Sequence, residues 1–180
     1  MLCGILKEWR ILPVKFAKWS LLAVFLLFTL GSALSAPPEI YPDPAQAHAD
    51  LAAALKKAAV QHKRVLLDFG GNWCPDCRIL DAYLHDPANR PLLESNFVLV
   101  HVNIGHMDAN QDLAERYGVP LHKGVPAMAV LDAHGKLLYS QKGGEFEAMR
   151  TMQLSSVTTF LTEWRPAPQG KPCSVAVVRC

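Results

Sequence analysis

The sequence predicts an α/β domain, a central mixed β-sheet with helices on both faces. Three observations carry this expectation. Apolar runs of five to eight residues, rich in strand formers, alternate with segments that are apolar at helical spacing. Glycine, proline or aspartate marks most of the junctions between them. A single tight turn joins the last two strands, so that pair is antiparallel within a sheet otherwise joined through helices. A chain of 180 residues, 51% hydrophobic and 19% charged, suits one globular domain of ordinary size.

The elements follow in order. Asp43 caps a first helix with Pro44 at its first position, and Leu51, Leu55, Ala58 and Ala59 recur at helical spacing as far as His62. Val65 to Phe69 is a buried strand, broken only by Asp68 and ended by Gly70-Gly71. A helix starts at Pro75, with Ile79, Leu80, Tyr83 and Leu84 on one face, and stops at Asp86-Pro87. A helical turn spans Pro91 to Ser95. Phe97 to Ile104 is the second central strand, ended by Gly105. Asp108 caps a helix that runs to Tyr117 and stops at Gly118. Val125 to Leu131 is a third strand, turned at Asp132-Ala133-His134-Gly135 into Lys136 to Ser140. A last helix, Ser155 to Trp164, presents Val157, Phe160, Leu161 and Trp164.

Residues 1–35 read as a secretory signal peptide: a basic start (Lys7, Arg10, Lys15, Lys18), a short apolar run from Trp19 to Leu30 and a small-residue exit, with cleavage after Ser35 or Ala33. The alternative is an uncleaved anchor in the cytoplasmic membrane. Either way the remainder is expected outside the cytoplasm, in a periplasmic or otherwise exported location. Residues 36–44 form a proline-rich linker, 45–165 the domain, and 166–180 a tail. The formal charge of +2 belongs to the leader; from residue 36 onward 14 basic residues face 15 acidic ones, a net −1. Such a chain has no electrostatic footprint for nucleic acid.

Beyond Cys3 in the leader, four cysteines remain: Cys74, Cys77, Cys173 and Cys180. Trp73-Cys74-Pro75-Asp76-Cys77 follows a strand and opens a helix. Two cysteines three apart at a helix start close a small disulfide ring, and the first sits over unpaired backbone N–H groups and the positive end of the helix dipole. That setting favours thiolate, the attacking species. Cys74 is thus the nucleophile and Cys77 the resolving thiol. A lone C-x-x-C also resembles half a zinc site. Here Asp68, six residues before Cys74, adds a carboxylate whose burial would raise its pKa and suit it to move the proton of Cys77. Val125-Pro126 opens a later strand, where a cis proline would leave one backbone edge free.

On these residues the chain resembles the thioredoxin-fold thiol–disulfide oxidoreductases of the exported type, over about residues 45 to 165. The resemblance implies a thioredoxin-like fold, with Trp73, Cys74, Cys77, Asp68 and Pro126 forming the site. Pro75-Asp76 departs from the family's commoner Gly-Pro pair and would tune the thiols; Val125 stands where threonine often precedes the cis proline; Pro120 to Lys123 reads as a short insertion, and the first strand of the full fold is not evident.

Each residue also has a plainer reading. Asp68 could be a solvated strand-end carboxylate and Trp73 a packing residue rather than a client contact; for His101, on the second strand, metal ligation is the sharper alternative. Cys173 and Cys180 read as a structural disulfide tying down the tail, with a second redox pair as the sharper alternative. The expected function is dithiol–disulfide exchange with protein clients outside the cytoplasm, with Val125 and Pro126 holding the client as an added strand. It needs no cofactor beyond the Cys74–Cys77 disulfide and no metal, and draws electrons from a membrane or soluble donor protein. Asp76 places a negative charge near Cys74, opposing the thiolate and favouring the reducing direction. The alternative is a metal-binding chaperone on the same fold, with Cys74, Cys77 and a histidine holding copper or zinc.

Overall fold

The computed structural model describes residues 38–167. The leader, most of the tail and both Cys173 and Cys180 lie outside the described residues. A compact unit begins at Glu39. Its elements are α1 (Ala47–Gln61), β1 (Arg64–Gly70), α2 (Pro75–Leu84), α3 (Arg90–Asn96), β2 (Phe97–Asn103), α4 (Gln111–Arg116), β3 (Ala127–Leu131), β4 (Leu137–Ser140) and α5 (Leu154–Glu163). The sheet order is β2-β1-β3-β4. β1 pairs parallel with β2 and antiparallel with β3, and β3 pairs antiparallel with β4. This is the mixed sheet the sequence predicts.

Alternation along the strands divides the core. Val65, Leu67 and Phe69 face one way with Val98, Val100 and Val102, against Leu51, Ala54 and Ala58 of α1 and Leu113 of α4. Leu66, Met128 and Val130 face the other, against Leu80 and Leu84 of α2 and Val157, Phe160 and Leu161 of α5. Asp68 keeps phase with Leu66, so its carboxylate points toward the α2 side. Burying a side chain such as Leu80, with none of its surface exposed, is worth about 1.5–3 kcal/mol. That burial anchors the helix carrying the dithiol.

The structure corrects several expectations. The helix expected from Asp108 begins at Gln111, after Asn110 in a left-handed conformation at φ 53°. Asp108 instead accepts from His106 N within a turn, which satisfies its side chain three residues early. β3 begins at Ala127 rather than Val125, because Pro126 has no N–H to give the ladder. On α1 the buried positions are Ala47, Leu51, Ala54 and Ala58, while Ala59 is exposed. The Pro120 to Lys123 stretch forms a 3-10 turn over Leu121–Lys123.

The end of the expected linker is part of the domain. Ile40 N and Tyr41 N both donate to Asn72 Oδ1, and Asn72 Nδ2 donates back to Tyr41 O at 2.9 Å. Tyr41 is 1% exposed. Asp43 then accepts from Ala45 N and caps a 3-10 turn, Pro44–Gln46, that runs into α1. A proline-rich stretch reads as linker from composition; three hydrogen bonds between Asn72 and its backbone tie it down.

Candidate functional site

Cys74 is the N-cap of α2 and Pro75 its first residue. Proline suits that position because its missing N–H would have had no partner. Cys74 Sγ and Cys77 Sγ are joined in a disulfide. Cys77 N points at Cys74 Sγ, 3.2 Å away, so one of the helix's unpaired donors is aimed at the sulfur that would carry negative charge in the reduced state. Cys77 is fully buried and Cys74 only 4% exposed. Carbonyl O of Val125, in the cis pair with Pro126, lies 3.6 Å from Cys74 Sγ. The structure thus brings Cys74, Cys77, Val125 and Pro126 together.

Two glycines make the approach of neighbouring groups feasible. A Cβ on Gly70 would lie 2.5 Å from Tyr41 Oη and 2.7 Å from Cys77 Sγ, and one on Gly71 would lie 2.5 Å from Trp73 Nε1. Only a residue without Cβ admits these contacts. Trp73 remains 45% exposed beside the disulfide. Its indole N–H donates to Gly105 O and its ring stacks on His106, with centroids 5.9 Å apart. It is a fixed, open apolar surface rather than a core residue.

Asp68 is fully buried, which removes the solvated strand-end reading. Its Oδ2 accepts from Tyr41 Oη at 2.7 Å and faces His101 Nδ1 at 2.9 Å, while Oδ1 has no hydrogen-bond partner among the described residues. Burial, then the charge of Asp68, pushes the Tyr41 hydroxyl well above its ordinary pKa of 10.0. At His101 burial pulls the imidazole down, but the hydrogen bond and charge of Asp68, with the charge of Asp81, outweigh it and leave the pKa above 6.5.

Asp76 does not stand alone beside Cys74. Arg150, in the 3-10 turn Met149–Thr151, pairs with its carboxylate through Nη2 and Nε, and Arg150 N donates to Oδ1 at 2.9 Å. The Arg150 hydrogen bond holds the Asp76 carboxyl below its ordinary 3.8. Asp76 is therefore charged, buried and compensated, where the sequence suggested an unopposed charge.

Tyr41, Asn72 and Arg150 are site residues that the sequence reading did not name, and it named His101 only as a metal ligand, not as the partner of Asp68. Tyr41 fell in the expected linker, and Arg150 is 74 residues from Asp76. A signal did exist for His101. It and Asp68 are each the fifth of seven residues in β1 and β2, which pair in register as Asp68 with His101. Two polar residues at matching depth in neighbouring apolar strands would pair. Among the described residues no three His, Cys, Asp or Glu side chains are grouped to hold a metal ion, and no helix is long and apolar enough to cross a membrane.

A β2-β1-β3-β4 sheet with a dithiol at the start of α2, facing a cis proline, defines a thioredoxin-like protein. Residues 46–133 match the thioredoxin-like family model. The crystal structure of a disulphide isomerase from Xylella fastidiosa Temecula1 is similar, with 36% identity and a TM-score of 0.65, over 73% of this chain and 98% of that one. The thiol:disulfide interchange protein DsbD of Colwellia psychrerythraea is 29% identical over 108 residues, 56% of this chain and 17% of that protein. A thioredoxin of Buchnera aphidicola is 35% identical over 66 residues, 37% of this chain and 53% of that protein. The chain thus spans about half or less of these two curated relatives. It belongs to the thioredoxin-like family.

Proposed function

We propose that this protein is a thiol–disulfide oxidoreductase that exchanges dithiol for disulfide with protein clients outside the cytoplasm. The observation that carries this reading is the Cys74–Cys77 disulfide at the N-terminus of α2, with Cys77 N aimed at Cys74 Sγ and the Val125 carbonyl 3.6 Å from that sulfur. Cys74 thiolate attacks a client disulfide, forming a mixed disulfide and releasing one client sulfur. Cys77 then attacks Cys74 Sγ, closing the intramolecular disulfide and releasing the second. Asp68 takes the proton of Cys77. Trp73 and the backbone at Val125-Pro126 hold the client, and the dithiol is the only redox group the reaction uses.

The direction is the finer part of the proposal. A carboxylate rather than a cation occupies the first turn of α2, and Arg150 is paired to that carboxylate rather than to the thiol. The reduced form thus lacks the side-chain cation that would make the disulfide a strong oxidant. A reducing protein supplied with electrons by a soluble or membrane donor follows. The leader supports the exported location, and the DsbD relative supports redox partners of this kind.

The test is reduction of insulin disulfides with trapping of intermediates. Cys74→Ser should abolish turnover, and Cys77→Ser should accumulate mixed disulfides with clients. Adducts on Cys74→Ser, or normal turnover by Cys77→Ser, would reverse the roles. The wild-type potential, read by equilibration with glutathione, should lie nearer ~−270 than ~−120 mV.

A further inference from the structure

Behind the dithiol, five side chains from four parts of the chain form a continuous line to the surface. It starts at Tyr41, whose hydroxyl crowds the same side of Gly70 as Cys77 Sγ. Tyr41 Oη donates to Asp68 Oδ2 at 2.7 Å, and that oxygen faces His101 Nδ1 at 2.9 Å. His101 Nε2 faces Asp81 Oδ1 at 3.5 Å, and Asp81 Oδ1 meets His85 Nδ1 at 3.0 Å. Exposure rises outward: the side chains of Asp68, His101, Asp81 and His85 are 0, 16, 23 and 41% exposed. Hydroxyl, carboxylate and imidazole can each accept a proton and pass one on: Tyr41 Oη, Asp68 Oδ2 and Asp81 Oδ1 at a single oxygen, His101 between its two ring nitrogens.

A buried carboxylate that takes a proton must return it to water before the next turnover. Asp68 has no exposed surface, so its proton needs a path through neighbouring groups. We propose that this line is a proton relay for the resolving cysteine, in which His101 carries protons between Asp68 and the surface-facing Asp81. The proposal rests on the oxidoreductase reading above.

In the reducing direction the Cys77 thiol gives its proton to Tyr41 Oη as Tyr41 passes its own to Asp68. Cys77 sulfur then attacks Cys74 Sγ; the Cys74–Cys77 bond forms and the bond from Cys74 to the client breaks. The client sulfur leaves as thiolate and takes a proton from water. Two electrons pass from the dithiol to the client disulfide. Asp68 hands its proton to His101 Nδ1, and His101 releases one from Nε2 to Asp81, so one proton leaves for each that the departing client sulfur gains.

The charged and titratable groups around His101 are Asp68 on β1, Tyr41 on the N-terminal segment and Asp81 on α2. Asp50 and Lys57 of α1 line a surface pocket with it. Once His101 is protonated, Nδ1 has no lone pair to accept from Asp68. Resolution should therefore accelerate as pH rises through the ionisation of His101.

The experiment mixes the reduced protein rapidly with a disulfide-bonded peptide, quenches in acid, and resolves mixed-disulfide formation from its resolution across about pH 5 to 8, where an imidazole titrates. His101→Gln should leave formation within about twofold of wild type but slow resolution about tenfold or more, with the pH inflection lost. Asp81→Asn should slow the same step to a smaller extent, and it decides alone if His101→Gln does not fold. Resolution with the wild-type rate and pH profile in the folded variants would overturn the relay and leave the oxidoreductase reading standing. A wild-type protein that forms no mixed disulfide at all would overturn that reading itself.

Discussion

Arg150 donates through Nε to both carboxylate oxygens of Asp76, and its backbone N–H donates to Oδ1, so the turn before α5 is fastened to the first turn of the dithiol helix. Asp76 is 5% exposed and would be costly as a lone buried charge. The pair lets a carboxylate occupy the first turn of α2, where it complements the helix dipole, without leaving its charge unopposed beside Cys74.

Removing the guanidinium exposes the thiol to that charge. In Arg150→Ala the Cys74 thiol pKa should rise by about one unit or less, and the reduction potential should fall with it. Thiolate absorbance titration and glutathione equilibration measure the two quantities. If neither moves, the thiol does not sense Asp76. The same pair has an acid signature. Because the folded-state pKa of Asp76 lies below 3.8, its stabilisation is present above that value and is lost as pH falls through the lowered pKa. The stability gap between wild type and Asp76→Asn should therefore close in strong acid.

Tyr41→Phe removes a hydroxyl from a fully buried carboxylate that already has one oxygen without a partner among the described residues. The expected loss is about 1–3 kcal/mol, read from the urea midpoint at constant slope. A loss under about 0.5 kcal/mol would mean that another group replaces the hydroxyl.

His101 provides a second pH dependence of opposite sign. Its folded pKa is raised above the ordinary 6.5, so its contribution is fully present below that value and is lost as pH rises through the folded pKa. Urea unfolding of wild type and His101→Gln at a series of pH values should show the largest gap on the acid side. A gap that widens toward alkaline pH contradicts the Asp68–His101 ion pair.

What the sequence determines by itself is what local physics determines. Val65 to Phe69 and Phe97 to Asn103 are strands because their apolar, β-rich runs have nowhere to go but a core. Cys74 caps a helix because Pro75 follows it and the Leu80–Leu84 face must be buried. Gly118 and Gly135 stop or turn the chain at φ 63° and 83°, conformations that glycine adopts without strain. The Cys74–Cys77 pair is legible for the same reason: spacing of three at a helix start is a local property.

Tertiary structure decides the surroundings of that dithiol. Tyr41 sits in a segment with no periodicity, held by Asn72 across 31 residues, and Arg150 finds Asp76 across 74. Asp68 and His101 meet only because β1 and β2 pair in one particular register. Each partnership joins groups distant in sequence, and a charge's behaviour depends on its neighbours in space and on its distance from water. Composition and spacing carry neither quantity, so the chain alone shows the two sulfurs and only the folded protein shows what surrounds them.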